Sequence, residues 1–260
     1  MADYFSGFQE FFPVILALVA AVATGLMGGF ALMKKMTLAG DTMSHIALPG
    51  LGIALIWNIN LVIGAAAALA IGAIFIWHIE ARTDLAVETT IGVIFSAAIA
   101  LGVLVTPSEE IIEALFGGAE LISVFTLLTY LALSLLVILY VFRFRNQLVL
   151  GSFNEDLAEV SGVKVSRLNL VYYLMFALTL ILGLRFLGTL LVGALVIVPA
   201  ATAKQLTETL SHFLIISATV SVLSVALGYF LVGLYSLSVG PTVISIAAGF
   251  FVLSLLKKHK

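Results

Sequence analysis

Apolar residues run through this chain in long uninterrupted blocks, separated by short polar stretches, and do not alternate at every second position. A helix rising ~1.5 Å per residue needs about 20 such residues to cross a hydrocarbon layer of ~30 Å. On that measure the blocks predict spanning helices near 12–33, 38–57, 60–78, 88–106, 122–142, 168–187, 189–203, 212–233 and 241–256. The seventh is short and only Gly188 parts it from the sixth, so the count falls to eight if that pair forms something irregular. Without two-residue alternation a transmembrane barrel is disfavoured, and helices are the remaining way to satisfy a backbone in lipid. The expected fold is all-α: a polytopic membrane protein of eight or nine transmembrane helices, one domain over 1–260.

Composition agrees. The chain is 62% apolar and 10% charged, with a mean hydropathy of +1.23, more apolar surface than a core of this size can hide. Laid on alternating loops, eleven of the twelve basic residues fall on one side: Lys34, Lys35, Arg82, Arg143, Arg145, Lys164, Arg167, Lys204, Lys257, Lys258 and Lys260. The positive-inside rule makes that side cytoplasmic. The N-terminus is then expected outside and the C-terminus inside, with Arg185 and the acids Glu109, Glu110, Glu113 and Glu120 on the outer face. The start, Met1-Ala2-Asp3-Tyr4, carries no basic region, so no removable signal peptide is expected. The absence of cysteine excludes disulfides and thiolate ligands. A net charge of −2 gives no reason to expect nucleic acid.

Two cytoplasmic segments are more than turns. In 143–168, the stretch from Phe153 to Val163 reads as a short amphipathic helix with Asn154 as N-cap and Gly162 as C-terminal stop. In 199–211, the run Pro199-Ala200-Ala201-Thr202-Ala203-Lys204-Gln205-Leu206-Thr207-Glu208 reads as a small-residue turn and helix between the seventh and eighth spans. Such elements serve either as surface connectors or as docking surfaces for a soluble partner.

Ionisable residues inside the spans are few. A charge there costs roughly 3 kcal/mol or more and persists only with a partner or a task. Asp41 and His45 stand four apart, on one face of a helix. Counted from Lys35, Asp41 lies about 9 Å into the layer and His45 about 15 Å, near its middle. Asp84 and Glu88 repeat the spacing at the start of the fourth span. Asp84 reads as an interfacial acid favoured by the helix dipole, whereas Glu88 begins an otherwise apolar run. Asp, Glu and His without sulfur suit Zn(II), Mn(II) or Fe(II) better than Cu(I). Pro49-Gly50 follows the Asp–His pair and interrupts the second span, marking either a plain proline kink or a hinge.

The run from Gly40 through Asp41, His45, Pro49 and Gly50 resembles the signature of membrane-permease subunits of ABC importers for zinc, manganese and iron(II). The likeness continues in Glu88-Thr89-Thr90-Ile91-Gly92, Leu115-Phe116-Gly117-Gly118 and Asp156-Leu157-Ala158 to Gly162-Val163. It ends in the stretch from Gly188 to Ala203 and in Gly240-Pro241-Thr242, so it covers nearly the whole chain in order. The resemblance implies a multi-pass protein of the bacterial cytoplasmic (inner) membrane, working as a homodimer. Metal would pass along Asp41, His45 and Glu88; the family pattern usually has Asp at that last position, and Asp84 matches no fixed acid. The 199–208 segment, with Pro199, Ala200, Thr202, Lys204 and Glu208, resembles the helix that couples to the nucleotide-binding subunit. The chain has no Gly-x-x-x-x-Gly-Lys-Ser/Thr loop, so ATP hydrolysis belongs to a separate chain. No resident cofactor is implied: the metal is the transported substrate, zinc first, then manganese or iron(II), delivered by an extracytoplasmic metal-binding protein. From the residues alone an autonomous metal channel or proton-coupled carrier remains the alternative, and a membrane-embedded hydrolase finds no His-Glu-x-x-His.

Overall fold

The computed structural model describes residues 11–36, 39–83, 85–105, 123–187 and 189–257. Asp84, the acids of 109–120, the side chain of Arg185, Lys258 and Lys260 lie outside the described residues. Eleven helices follow in chain order among the described residues: α1 (Phe12–Met33), α2 (Ala39–His45), α3 (Ala47–Ile56), α4 (Leu61–Glu80), α5 (Val87–Val105) and α6 (Val124–Phe153), then α7 (Glu155–Val160), α8 (Val165–Leu187), α9 (Thr189–Leu206), α10 (Leu210–Tyr235) and α11 (Val239–Ser254). No strand occurs among these residues. Six of the helices, α1, α4, α5, α6, α8 and α10, are long and apolar enough to cross a membrane, while α11 and the Val192–Leu206 part of α9 are shorter apolar helices.

The bundle is organised around α1. In its apolar window 72% of the residues are buried, against 22–28% for α4, α5 and α6, so α1 is the inner helix and those three present broad faces outward. The reason is its run of small residues. In lipid the hydrophobic effect does not drive helices together, and close backbone packing must do so. Gly28 lies against the Val196 carbonyl of α9, and a Cβ on Gly25 would stand 2.7 Å from the Ala218 Cα of α10. Ser217 on α10 donates to the Gly25 carbonyl at 2.6 Å, and Thr24 pairs with Ser221 at 3.3 Å.

Three elements depart from expectation. The second span breaks before Pro49-Gly50, at Ile46, the single residue between α2 and α3. Proline has no N–H and its ring crowds the carbonyl four residues earlier, here that of His45, so the helix yields one turn upstream. The Ile46 N–H turns instead to the Met43 carbonyl at 3.0 Å, and Gly50 packs backbone-to-backbone against Gly64 of α4. The fifth span does not stop at residue 142: α6 runs 30 residues, about 45 Å, because the polar stretch beginning at Arg143 ends the apolar run without interrupting the hydrogen-bond ladder. Likewise 199–208 is not a separate turn and helix. Pro199 lies inside α9, which continues to Leu206. The α7 expectation matches the structure: the Asn154 side chain accepts from the Leu157 N–H at 2.9 Å, and Gly162 turns the chain at φ +82°.

The close α1–α9 contact makes Gly28→Ala costly. We expect a loss of roughly 1–3 kcal/mol from overpacking, read as a lower thermal unfolding midpoint in detergent. Gly249→Ala, where a Cβ meets open space, is expected to be neutral or to gain up to about 1 kcal/mol in helix propensity. Equal effects at the two positions would contradict this packing.

Candidate metal path in a broken helix

The break at Ile46 leaves α2 as a seven-residue helix held between longer ones. It packs against α9 on one side and α5 on another, with α8 also in contact. Gly193 of α9 lies directly on the Asp41 backbone, closer than any Cβ would allow, and Gly40 meets the same stretch of α9. Asp41 therefore has its main chain clamped while its side chain projects away. Ser44 supports the turn by donating to the Asp41 carbonyl at 2.6 Å.

Asp41 and His45 face one another as the i,i+4 spacing predicts, with His45 Nε2 at 4.0 Å from Asp41 Oδ1. That is too long for a hydrogen bond. Two tetrahedral zinc bonds of ~2.1 Å would set the two atoms about 3.4 Å apart, so the pair must close by about half an ångström to share one cation. The Asp41 side chain is 49% exposed and that of His45 only 12%, which grades the pair from open to enclosed. The His45 ring stands against Phe95 of α5, with centroids 5.7 Å apart, and its buried Nδ1 has no hydrogen-bond partner. The chain thus holds the ring by a tilted aromatic contact and leaves the nitrogen facing Asp41 available.

Glu88 sits in the first turn of α5 and is exposed. Among the described residues no three His, Asp or Glu side chains converge on one point, so the fold brings together Asp41 and His45 and does not gather Glu88 with them. His212 bonds to Thr209 at 2.7 Å at the start of α10, and His78 is exposed beside Trp77 at the end of α4. Two participants escaped sequence reasoning. Gly193 looked like one more packing glycine, and Phe95 like one more apolar residue; only proximity in space singles them out.

The two candidate docking segments differ in what they expose. Pro199, Ala200 and Thr202 are buried, leaving only Lys204 and Glu208 of that set at the surface. By contrast α7 and the residue before its cap turn an apolar side outward: Phe153 is 81% exposed, Leu157 55% and Val160 87%, beside the acids Glu155, Asp156 and Glu159.

A bundle with six helices long and apolar enough to cross a bilayer has the make-up of a multi-pass membrane permease. The chain belongs to the ABC 3 transport family, which matches residues 9–258. It is 29% identical to the high-affinity zinc uptake system membrane protein ZnuB of Haemophilus influenzae, over 97% of this chain and 99% of the relative. It is 31% identical to the manganese transport system membrane protein MntC of Listeria innocua, over 94% and 88%. PsaBC from Streptococcus pneumoniae, solved in complex with Fab, shares the fold with a TM-score of 0.81 at 28% identity, covering 98% of this chain and 95% of the other.

Because the chain has no cysteine, thiol scanning reads this geometry directly. Asp41→Cys is expected to react with a small water-soluble methanethiosulfonate reagent, and Ser44→Cys, whose parent residue is fully buried, to stay unmodified. The reverse order would place α2 differently.

Proposed function

We propose that this chain is the membrane permease of an ATP-driven importer of divalent transition metal, with zinc the first-choice substrate and manganese or iron(II) its competitors. The observation that carries the reading is the Asp41–His45 pair at the broken helix, 4.0 Å apart and within about half an ångström of the spacing that shares one tetrahedral ion. Two ligands from one chain suit passage better than storage, since a structural zinc site closes with four. Remaining positions are left to water, to Glu88 as the chain breathes, or to a second copy across a homodimer interface. Zinc is favoured because imidazole is among its preferred ligands; relatives carry both zinc and manganese in their names.

In this reading the end of the bundle bearing Lys34, Arg82 and Arg143 is cytoplasmic. The N-terminus is outside and the span count is eight or nine once the α2–α3 pair, α9 and α11 are included. The cytoplasmic ATP-binding subunits dock on α7 and the end of α6, where the outward Phe153 of α6 and Leu157 and Val160 of α7 would fill an apolar groove. The 199–208 segment would couple to the same subunits through its exposed Lys204 and Glu208, with Pro199, Ala200 and Thr202 buried behind them. A metal-binding protein outside the cell would hand over the ion. The break at Ile46, enforced by Pro49, is the hinge at which the ion's access switches.

The test is uptake of competing Zn(II), Mn(II) and Fe(II) by the complex reconstituted in vesicles with its co-purified ATPase. Asp41→Ala and His45→Ala are each expected to lower uptake at least about tenfold, since losing even a residue that only supports a metal ligand costs that much. Normal transport by both would remove the site, and uptake by this chain alone would make it a channel or carrier instead. Separately, Leu157→Asp with Val160→Asp is expected to abolish co-purification of the ATPase while the permease still folds and elutes as a single species; retained co-purification would move docking elsewhere.

A further inference from the structure

At the end of the bundle that carries α7, three helices are tied by a polar cluster that the metal path does not use. Lys34, in the turn after α1, donates from Nζ to Oδ1 of Asn169 on α8 at 2.8 Å and stands 5.2 Å over the Tyr172 ring. Asn169 is 5% exposed, and its Nδ2 donates onward to Oε1 of Glu80, the last residue of α4, at 3.4 Å. One turn earlier on α4, Trp77 Nε1 donates to the Ser166 carbonyl at 2.8 Å, with the Ser166 hydroxyl at 3.1 Å. Two ties one turn apart thus fasten the end of α4 to the start of α8, and the upper one extends to Lys34. Burial lowers the pKa of the Lys34 ammonium, while the Glu80 and Glu155 carboxylates act to raise it again; Glu155 belongs to α7.

The links on either side of this cluster are short and hydrogen-bonded. Between α7 and α8 the Gly162 N–H bonds to the Glu159 carbonyl at 2.9 Å, and that of Val163 to the Ala158 carbonyl at 3.0 Å. Ala158 and Val165 are buried. Displacement of α7 therefore carries the first turns of α8, and Asn169 with them. On the other side the Met36 N–H bonds to the Ala31 carbonyl at 2.9 Å, and the Ala39 N–H to the Met36 carbonyl at 3.1 Å. Lys34 stands seven positions ahead of Asp41 in the chain, and these two hydrogen bonds lie between it and α2. A recess of about 490 Å³ opens beside the cluster, lined by Glu80, Glu155, Glu159, Thr83 and Ala86, so α7 has room to move relative to the α4–α5 connection.

We propose that Lys34, Asn169 and Glu80 form the joint that transmits displacement of α7 to the helix carrying Asp41 and His45. The inference rests on the transport reading above. These are positioning residues: none touches the ion, and their work is to keep ATP hydrolysis in step with metal passage. A joint of this kind needs a linked donor and acceptor chain removed from bulk water, as the part-buried Lys34–Asn169–Glu80 chain is, because such a chain tolerates few alternative geometries. Neutral apolar substitutes of similar size preserve folding and lose that directionality.

The decisive measurement is the number of Zn(II) ions moved per ATP hydrolysed by the reconstituted complex. Lys34→Met combined with Glu80→Gln leaves no lone buried charge, and Asn169→Leu removes the bridge. Both are expected to co-purify with the ATPase and hydrolyse ATP within about twofold of the parent, while ions per ATP fall about tenfold, the scale of a coupling network. Lys34→Arg keeps a donor for Asn169 and is expected to retain the parental ratio. An unchanged ratio in both disrupted variants overturns the proposal. So does a parallel fall of hydrolysis and uptake, or loss of assembly in both, since either result makes the three residues purely structural. If the parent complex itself shows no ATP-driven uptake, the transport reading fails first, and the inference with it.

Discussion

The structure depends on backbones approaching one another where side chains would forbid it. Inside a bilayer an apolar helix gains nothing by leaving lipid for a neighbouring helix, so association must come from contact. Gly28 against the Val196 carbonyl, Gly50 against Gly64 and Gly193 against the Asp41 main chain supply that contact at three separate crossings. The first seats α1 in the centre, the second seats α3 on α4, and the third clamps the helix that carries the ionisable pair. Had any of these sites a larger residue, the bundle would have to open where it is now tightest.

Proline shapes the other half of the arrangement. Because Pro49 cannot donate to the His45 carbonyl, α2 ends at His45 and the imidazole stands at a helix terminus instead of mid-helix. The pair is then flanked by a rigid element on each side: Gly193 holds the Asp41 backbone, and Phe95 backs the His45 ring. The Asp41 side chain is half open and that of His45 nearly enclosed, so the pair grades from an exposed end to a buried one.

Much of this was legible in the sequence. Continuous apolar runs placed the helices within a few residues, as at 88–106 against Val87–Val105 and 241–256 against Val239–Ser254. The i,i+4 spacing of Asp41 and His45 placed them on one face, and Asn154 and Gly162 bounded α7. What hydropathy could not show is helix that continues past its apolar part. Arg143 and Arg145 ended a greasy run while the backbone ladder of α6 went on to Phe153. Pro199 reads as a breaker in one dimension, yet it sits inside α9 among neighbours that pack around it. The polar cluster was invisible for a different reason. Its hydrogen bonds join residues 135 and 89 positions apart, and no periodicity within a window records such a meeting.

The length of α6 has a mechanical consequence. At 30 residues it is about 45 Å long, well beyond the ~30 Å that hydrocarbon requires, and α7 follows its end across a single residue, Asn154. A helix of that length gives any tilt a long arm. Tilting it by about 5° around its far end sweeps the tip through roughly 4 Å, most of a helical turn. A small leaning of one transmembrane helix thus becomes a swing large enough to change what α7 meets, and a push delivered at α7 acts on the bundle with the full arm of that helix.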